Sequence, residues 1–339
     1  MRIAIDAMGG DFAPESIIHG GVEAARVGKG RYEIVLVGHE KIIETHLSHH
    51  FRVHELSIST VHASEKVEMH ESPVNALKSK PDASISVAME LHRKREVDAV
   101  VSAGHTGAAM ASALLRLGRI KGVRRPAIGS LIPHEQGVTF LTDVGANLDC
   151  RAYDFYQFGV MGNIYMQCVY GKENPKVGLL NIGHEESKGG EAVKEAYQIF
   201  KESHLNFIGN IEGRDIMSGK SDVIVTDGFV GNVVLKFAES FNGVYSKTLK
   251  RKIGKKIFSK MGAFLLKPTL NRLRQIYDYE EYGGAPLLGI NGICMICHGS
   301  STPKAIKNAV VETAMMIEQK VNDKISQALC GVEEKIYAE

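Results

Sequence analysis

The sequence lacks three features that would place the protein in a membrane or outside the cell. The 339-residue chain has no run of about 18 apolar residues, so we expect no membrane-spanning helix. Its five cysteines are odd in number and irregularly spaced, a pattern that argues against a disulfide framework. Asp6 interrupts the first apolar stretch too early for a signal peptide. The sequence therefore predicts a cytoplasmic protein.

Two nucleotide-binding motifs are also missing. No segment reads G-x-x-x-x-G-K-[ST], and none reads G-x-G-x-x-G with an acidic residue about 20 positions later. The histidine-rich stretch has no Cys or paired acidic residue beside it, and we interpret it as a surface helix end rather than a metal site. Its members are His46, His49, His50 and His54. We expect neither a metal nor a cofactor.

Acidic residues are missing from one long segment. The formal net charge of the chain is only +2, yet residues 240–277 contain ten basic residues and no acidic one. The rest of the chain is therefore net acidic. This asymmetry indicates an acidic partner or surface, and we expect no nucleic-acid partner.

Short apolar runs alternate with helical patterns along most of the chain. Near-continuous apolar strands between helices predict an α/β protein with a mostly parallel sheet covered on both faces, a three-layer αβα fold. The predicted strands cover residues 3–7, 33–37, 99–102, 127–131, 138–142, 176–181, 207–209 and 223–226. A last helix is predicted over 303–329. One αβα domain over 1–339 is favoured over two, with 240–282 as a helical excursion.

Five of these strands end in clusters of Gly, Asp, Asn and Ser. The clusters lie at residues 7–11, 103–107, 145–149, 181–183 and 227–232. Glycine-rich loops expose backbone N–H groups, and a following helix directs its positive dipole end to the same point. In a doubly wound sheet such loops meet in one crevice at the carboxyl edge. The sequence therefore predicts a site for a small anion, such as phosphate, among these loops.

Three further segments carry candidate chemistry. Lys188, beside two glycines, could supply a point charge to phosphate, or it could be a solvated surface lysine. The glycine-rich segment 283–289 could line a pocket for an apolar chain or form a tight connection on the core. The polar residues at 298–301 precede the last helix, where backbone donors are free. Cys294 and Cys297 have redox spacing without a second pair, and we interpret them as small buried hydrophobic residues.

The basic segment combines charge with apolar residues at helical spacing. Ile253, Ile257 and Met261 lie among the lysines, and residues 261–266 are almost wholly apolar. This pattern predicts a helical hairpin with an apolar tip and a cationic flank, which suits an anionic membrane surface. A dimer interface built from the same stripe is an alternative, and the two are compatible. The predicted membrane or carrier-protein contacts are Lys252, Lys255, Lys256, Phe264, Leu265 and Leu266.

These motifs together resemble one family, the phosphate acyltransferases of bacterial phospholipid synthesis, also called acyl-ACP:phosphate transacylases. The matching segments are DAMGGD at 6–11, SAGHTGA at 102–108, DVGAN at 143–147, GLLNIG at 178–183, KG at 188–189, GNIEGRD at 209–215, DGFVGN at 227–232, YGGAP at 282–286 and HGS at 298–300. They cover nearly the whole chain. One departure is His105, where the family usually carries Asn.

The resemblance implies a fold similar to isocitrate and isopropylmalate dehydrogenases and to phosphate acetyltransferase. It implies a homodimer that attaches peripherally to the inner face of the cell membrane. It also implies a reaction in which inorganic phosphate attacks the thioester of a long-chain acyl-acyl carrier protein. A membrane-bound glycerol-3-phosphate acyltransferase would then use the acyl phosphate for phospholipid synthesis.

In such a reaction the substrate phosphate is the nucleophile. The protein has to neutralise and orient it and to stabilise the oxyanion formed on the thioester carbonyl. We assign these catalytic tasks to Lys188, Asn181 and Asn232. The candidates for binding phosphate or the acyl thioester are Asp6, Gly9, Gly10, Ser102, Gly104, Thr106, Gly107, Asn147, Gly183, Gly189, Asp227, Gly228, Gly231, His298 and Ser300.

Three other functions are alternatives. A short-chain phosphate acyltransferase that uses acyl-CoA would not need a basic, apolar hairpin. A β-decarboxylating dehydrogenase on a similar fold would need NAD and a metal-binding carboxylate cluster, and neither signal is present. A non-catalytic membrane scaffold would not need five glycine-rich loops.

Overall fold

The chain forms one eleven-stranded sheet with helices on both faces. The computed structural model describes residues 1–253, 262, 265–269, 277 and 279–330. The strands within that part are β1 Arg2–Asp6, β2 Glu33–Gly38, β3 Ile58–His62, β4 Ala99–Ser102, β5 Ala127–His134, β6 Gly137–Thr142, β7 Val177–Leu180, β8 Phe207–Ile211, β9 Val223–Val225, β10 Ala285–Leu288 and β11 Cys294–Ile296. The α-helices are α1 Glu15–Gly28, α2 Glu40–Ser48, α3 Pro73–Ser79, α4 Ser84–Arg93, α5 Thr106–Arg116, α6 Ala152–Tyr170, α7 Glu191–Glu202, α8 Gly228–Ile253, α9 Pro303–Glu318 and α10 Val321–Leu329.

The sheet is mixed but mostly parallel, as predicted. Its strand order is β3-β2-β1-β4-β11-β10-β5-β6-β9-β7-β8. The pairs β11–β10, β10–β5 and β5–β6 are antiparallel, and the other seven neighbouring pairs are parallel. Three reversals in succession leave the β6-β9-β7-β8 set antiparallel to the β3-β2-β1-β4-β11 set.

Alternating side chains of the apolar strands fill two separate cores. Ile3 and Ile5 of β1 join one hydrophobic cluster, whereas Ala4 between them joins the other. Successive side chains of a strand point to opposite faces, so a continuously apolar strand needs cover on both sides. Helices supply that cover on each face, which confirms the three-layer αβα prediction.

Three strands were not predicted. β3 is a partly exposed edge strand, and β10 and β11 are short strands at the centre of the sheet. Residues 286–289 are buried in the core, whereas 283–285 are partly exposed, so the pocket for an apolar chain stays a prediction. Cys294 and Cys297 are buried free thiols, as interpreted from the sequence, and burial raises the pKa of Cys294 to about 12.

The last predicted helix is two helices. Lys320 adopts a left-handed conformation with φ 53° between α9 and α10, which ends the first helix and redirects the chain. The histidine-rich stretch includes the end of α2: His46 lies in its last turn, and His49 follows the helix directly. Among the described residues, no group of three His, Cys, Asp or Glu side chains is arranged to hold a metal ion.

The hairpin prediction falls mainly on residues outside those described. The first arm is the long helix α8, and Lys252 near its end is exposed. Leu265 and Leu266 are 79% and 57% exposed. Lys255, Lys256 and Phe264 lie outside the described residues, so the hairpin stays a prediction. None of the described helices has the length and apolar character needed to span a bilayer.

Candidate active site

The strand directions divide the five glycine-rich loops into two groups. The loops after β1 and β4 point toward one end of the sheet, and the loops after β6, β9 and β7 point toward the other. The three antiparallel pairings between β11 and β6 cause this reversal. The prediction that all five loops meet in one crevice is therefore wrong. It assumed a sheet of uniform strand direction.

The β1 and β4 loops are joined by a buried carboxylate. Asp6 is 2% exposed and accepts hydrogen bonds from the Ser84 hydroxyl at 2.6 Å and the Ser102 hydroxyl at 2.7 Å. The Gly104 amide donates to the Ser102 oxygen at 3.1 Å. Burial raises the pKa of Asp6, and the hydroxyl donors oppose that rise. The cavity beside Gly9 measures about 10 Å³, roughly the space of one water molecule.

The neighbouring candidates are also engaged with one another. A Cβ on Gly10, whose φ is +118°, would lie 3.1 Å from the Gly299 carbonyl oxygen. The His298 ring nitrogen Nδ1 lies 2.7 Å from the Ser300 hydroxyl. Thr106 and Gly107 open α5 beside these loops. These candidate residues hold the loops after β1 and β4 in place. Their binding of substrate stays a prediction.

His105, which stands where the family usually carries Asn, takes a structural role in the loop after β4. Its Nδ1 accepts a hydrogen bond from the Gly107 amide at 3.1 Å and caps the N-terminus of α5. An Asn side chain caps helices through the same kind of bond. The substitution therefore keeps the start of α5 in place.

At the opposite end of the sheet, Asp143 organises the loop after β6. Its buried carboxylate accepts from the backbone N–H groups of Ile128, Gly145, Ala146 and Asn147 at 2.7–3.2 Å. The Asn147 side chain donates to Asp143 at 2.9 Å and to the Pro126 carbonyl at 2.8 Å. These N–H groups are committed within the protein, so the geometry gives Asn147 a positioning role. Asp143 was not among the site residues predicted from the sequence.

The N-terminus of α8 rests directly on this loop. The Gly228 amide donates to the Asn147 carbonyl at 2.7 Å. A Cβ on Gly231 would lie 1.9 Å from the Asp143 carbonyl oxygen, which only a glycine permits. Asp227 caps the helix by accepting from the Val230 amide at 2.9 Å. Gly228, Gly231 and Asp227 therefore fix the helix start rather than reach outward.

The loop after β7 is closed by Asn181. Its side chain donates to the Lys188 carbonyl at 3.0 Å and accepts from the Ile182 amide at 2.8 Å. A Cβ on Gly189, which has a φ of +89°, would lie 2.9 Å from the Asn181 oxygen. Gly183 is packed beneath Lys188 in the same way, with Lys188 Cγ 3.1 Å from where a Cβ would be. The structure thus uses Asn181 to shape the loop that carries Lys188.

Two predicted catalytic side chains remain available at this end of the sheet. The Lys188 side chain is 45% exposed, and its ammonium lies 4.0 Å from the Glu185 carboxylate. Asn232, in the first turns of α8, is exposed and lies beside Gly145. Within the described part of the chain, no hydrogen bond engages its carboxamide. Because β7 and β9 are neighbours, the loops that carry these residues leave adjacent strands at the same end.

A cationic segment that was not predicted as part of the site lies at this same end. Residues 119–125 precede β5 and include Arg119, Lys121, Arg124 and Arg125, which line a cavity of about 590 Å³. Since β5 is antiparallel to β6, its beginning lies beside the end of β6. Four cations within seven residues, between a helix and a strand, were a visible signal. Only the sheet topology places them at the same end of the sheet as Lys188.

Comparisons with known proteins agree with this architecture and extend it. The family model described as "Fatty acid synthesis protein" matches residues 1–324. A phosphate acyltransferase of Pelotomaculum thermopropionicum is 48% identical over 335 residues, which cover 99% of this chain and 97% of that protein. A phosphate acyltransferase of a Cyanothece strain is 48% identical over 332 residues, 97% of this chain and 95% of that protein.

Solved structures share the fold at low sequence identity. A phosphotransacetylase from Streptococcus pyogenes superposes with a TM-score of 0.63 and 19% identity over 94% of both chains. A 4-hydroxythreonine-4-phosphate dehydrogenase from Klebsiella pneumoniae gives a TM-score of 0.53 and 14% identity over 94% of this chain and 98% of that one. These likenesses support the predicted dehydrogenase-like fold. Because nearly the whole sequence aligns at high identity with its relatives, the chain belongs to the phosphate acyltransferase family.

Proposed function

We propose that the protein transfers a long-chain acyl group from acyl-carrier protein to inorganic phosphate, giving acyl phosphate and free carrier protein. One observation carries the proposal. Within the described structure, an exposed lysine, Lys188, and an exposed, unengaged carboxamide, Asn232, lie in the segments that follow two adjacent strands, β7 and β9. The name of the relatives, phosphate acyltransferase, supports phosphate as the acceptor.

The reaction needs charge neutralisation more than a protein nucleophile. A phosphate oxygen attacks the thioester carbonyl carbon, and the carbonyl oxygen becomes an oxyanion. Collapse of this intermediate breaks the C–S bond, and the sulfur leaves with the electron pair as thiolate, which then takes up a proton. Lys188 neutralises and orients the phosphate, and the Asn232 N–H donates to the oxyanion.

A homodimer is part of the proposal. Phe229, Val233, Phe237 and Val244 of α8 are 62%, 54%, 70% and 65% exposed. They recur at intervals of four, four and seven residues, which places them along one side of a helix. A contiguous apolar stripe of this kind marks an interaction surface. The dimer would bury it beside the loops that carry the site.

The proposed product, a long-chain acyl phosphate, gives the protein a reason to associate with the membrane. An acyl phosphate with a long chain is a substrate for a membrane-bound glycerol-3-phosphate acyltransferase. A cationic, apolar hairpin after α8 would bring the enzyme to the inner face of the cell membrane, where this product is consumed. The short-chain alternative with acyl-CoA has no use for such a hairpin.

The activity test separates these functions. We expect the protein, given palmitoyl-carrier protein and phosphate, to form palmitoyl phosphate and release carrier protein without added metal or nicotinamide. Free thiol and acyl phosphate, trapped as hydroxamate, are measured with and without EDTA. Abolition by EDTA, or a requirement for NAD, contradicts the proposal. Faster turnover of acetyl-CoA than of palmitoyl-carrier protein favours the short-chain alternative.

A second prediction concerns the hairpin tip. Replacing Phe264, Leu265 and Leu266 with Ser or Gln should release the protein from vesicles that contain anionic lipid. Burial of each such side chain contributes roughly 1.5–3 kcal/mol, and each nearby cation adds about 1 kcal/mol. Co-sedimentation measures the loss, and raising the salt should weaken wild-type binding.

The matched control for the tip is Leu115→Gln, since Leu115 is 68% exposed on α5. It should leave vesicle binding intact. If the triple variant sediments like wild type, the tip is not the anchor. If it becomes monomeric, these residues belong to the dimer interface instead.

A further inference from the structure

A cationic pocket lies at the same end of the sheet as Lys188 and Asn232. We define it by Arg119, Lys121, Arg124 and Arg125, which surround a cavity of about 590 Å³. The proposed mechanism does not use it. Its size and charge suit an anionic group of a larger substrate.

The backbone of this segment is fixed by buried partners. Ile120 and Val123 are each 5% exposed and point into the core, which leaves the charged side chains around them outside. The Ile120 amide donates to the Gly289 carbonyl at 3.0 Å. The buried Gln157 side chain donates to the Gly122 carbonyl at 2.6 Å and accepts from the Arg124 amide at 2.8 Å. The pocket is therefore pre-shaped rather than a loose surface loop.

The cations of the pocket are only partly neutralised. The fully buried Asp154 lies 3.7 Å from Arg124 Nε and 3.8 Å from Arg125 Nε. These distances exceed hydrogen-bond range, and Asp154 Oδ1 has no hydrogen-bond partner. One carboxylate thus lies near two of the four cations, while the Arg119 guanidinium donates to the Arg124 carbonyl. In the described part of the chain, no hydrogen bond occupies the Arg124 or Arg125 guanidinium, and Lys121 has no ion pair.

The pocket adjoins the loop on which α8 rests. Directly after Arg125, the Pro126 carbonyl accepts from the Asn147 side chain at 2.8 Å. Two residues further on, the Ile128 amide donates to Asp143 at 3.0 Å. An anion held by the guanidinium groups would therefore lie beside the loop after β6, next to the helix that presents Asn232.

We propose that the cationic pocket binds the phosphate ester of the acyl donor's pantetheine arm, an inference that rests on the proposed function. The reaction brings two anions to one site, the acceptor phosphate and the phosphate ester at the far end of the donor arm. Lys188 binds the acceptor phosphate, and the four cations of the pocket bind the phosphate ester of the donor arm. Paired guanidinium groups suit the recognition of phosphate oxygens. Carrier protein and coenzyme A both present this chemistry.

The test compares donors that differ in the phosphate. Wild type and the Arg124→Gln/Arg125→Gln variant are assayed with palmitoyl-pantetheine, palmitoyl-4′-phosphopantetheine, palmitoyl-coenzyme A and palmitoyl-carrier protein. We expect wild type to prefer the phosphorylated arm over palmitoyl-pantetheine in kcat/KM. The variant should lose about 10- to 100-fold of that preference. Lys41→Gln, an exposed lysine on α2, is the control and should keep it.

The pattern of losses across the four donors shows which part of the donor the pocket binds. A loss confined to the carrier-protein donor would assign the pocket to the acidic surface of that protein and overturn the proposal. An equal loss with all donors, palmitoyl-pantetheine included, would assign the arginines a structural role and overturn it as well. A loss with phosphopantetheine and carrier protein but not with coenzyme A identifies the carrier-bound arm as the ligand.

A binding measurement keeps the proposal independent of turnover. Calorimetric titration of 4′-phosphopantetheine and of pantetheine into the two proteins should show tighter binding of the phosphorylated compound to wild type alone. If wild type turns over none of the four donors but still shows this difference, the proposed reaction fails and the pocket proposal stands. If the two compounds bind wild type equally, the pocket proposal fails.

Discussion

Replacing Lys188 with alanine should lower kcat/KM for acyl transfer by about 10²–10³ and leave the thermal midpoint almost unchanged. The Lys188 side chain is 45% exposed and its ion pair with Glu185 is long, at 4.0 Å. An exposed pair of this kind contributes little to stability. In the proposed mechanism, by contrast, the ammonium neutralises the phosphate in the transition state. Steady-state kinetics and thermal unfolding of the same preparation measure both effects.

Asn232→Ala should lower kcat/KM to a comparable extent, because the proposed mechanism uses its N–H to stabilise the oxyanion. Its stability should change little, because within the described structure its carboxamide has no hydrogen-bond partner to lose. Lys201→Ala is the matched control: Lys201 is 56% exposed on α7 and pairs with Glu186 at 3.0 Å. It should keep near-wild-type activity. A folded Lys188→Ala enzyme with normal turnover removes Lys188 from the site. Asn181→Ala differs in kind, since it should also loosen the loop that Asn181 closes.

The protein should lose stability as the pH rises from about 5 to 8 because of one buried acid. Glu312 on α9 is 4% exposed and accepts hydrogen bonds from the hydroxyls of Tyr165 and Tyr170. Burial raises its pKa from 4.5 to about 8. The side chain therefore stays mostly neutral in the native state until the pH approaches 8, whereas in the unfolded chain it ionises above pH 4.5.

The sign of the effect follows from that difference. Below pH 4.5 both states hold the proton and Glu312 causes no pH dependence. As the pH rises toward 8, ionisation stabilises only the unfolded chain, at about 1.4 kcal/mol per pH unit, a few kcal/mol in all. Above that pKa the native carboxyl ionises too, and the loss stops growing.

Urea unfolding at pH 5, 6.5 and 8 checks this prediction. Relative to wild type, Glu312→Gln should become steadily more stable as the pH rises, because glutamine does not titrate. Glu318→Gln, at the end of the same helix, is the control: Glu318 is paired with Arg31 at 2.7 Å and is 35% exposed. Its profile should run parallel to that of wild type. A parallel profile for Glu312→Gln would show that the buried carboxyl does not titrate in this range.

The structure separates the predicted site residues into those whose side chains are available and those that hold loops in place. Lys188 and Asn232 were chosen from local sequence, and the structure leaves both side chains available. Asn181, Asn147 and Asp227 were chosen by the same reasoning, yet their side chains are engaged in holding loops and a helix end. Local sequence shows that a polar side chain follows a strand, but not whether a neighbouring backbone group will claim it.

The central strands show the same limit. β10 and β11 have four and three residues, and one follows two glycines while the other contains Cys and Met. Such short runs are too brief to show a period, and among their residues only Ile296 is β-branched. They form strands because neighbours on both sides complete their hydrogen bonds. Their antiparallel pairings, together with that of β5 and β6, give the three reversals that separate the loops after β1 and β4 from those after β6, β9 and β7.

The sequence by itself determined the alternation of apolar strands and helices, the αβα class and the chemical character of each loop. These properties depend on side-chain polarity and on residues close together in the chain. The tertiary structure decided which loops share an end of the sheet and that residues 119–125 lie beside the loop after β6. Strand order and direction are set by contacts between distant segments, because a strand can pair on either edge and in either direction until its neighbours are in place.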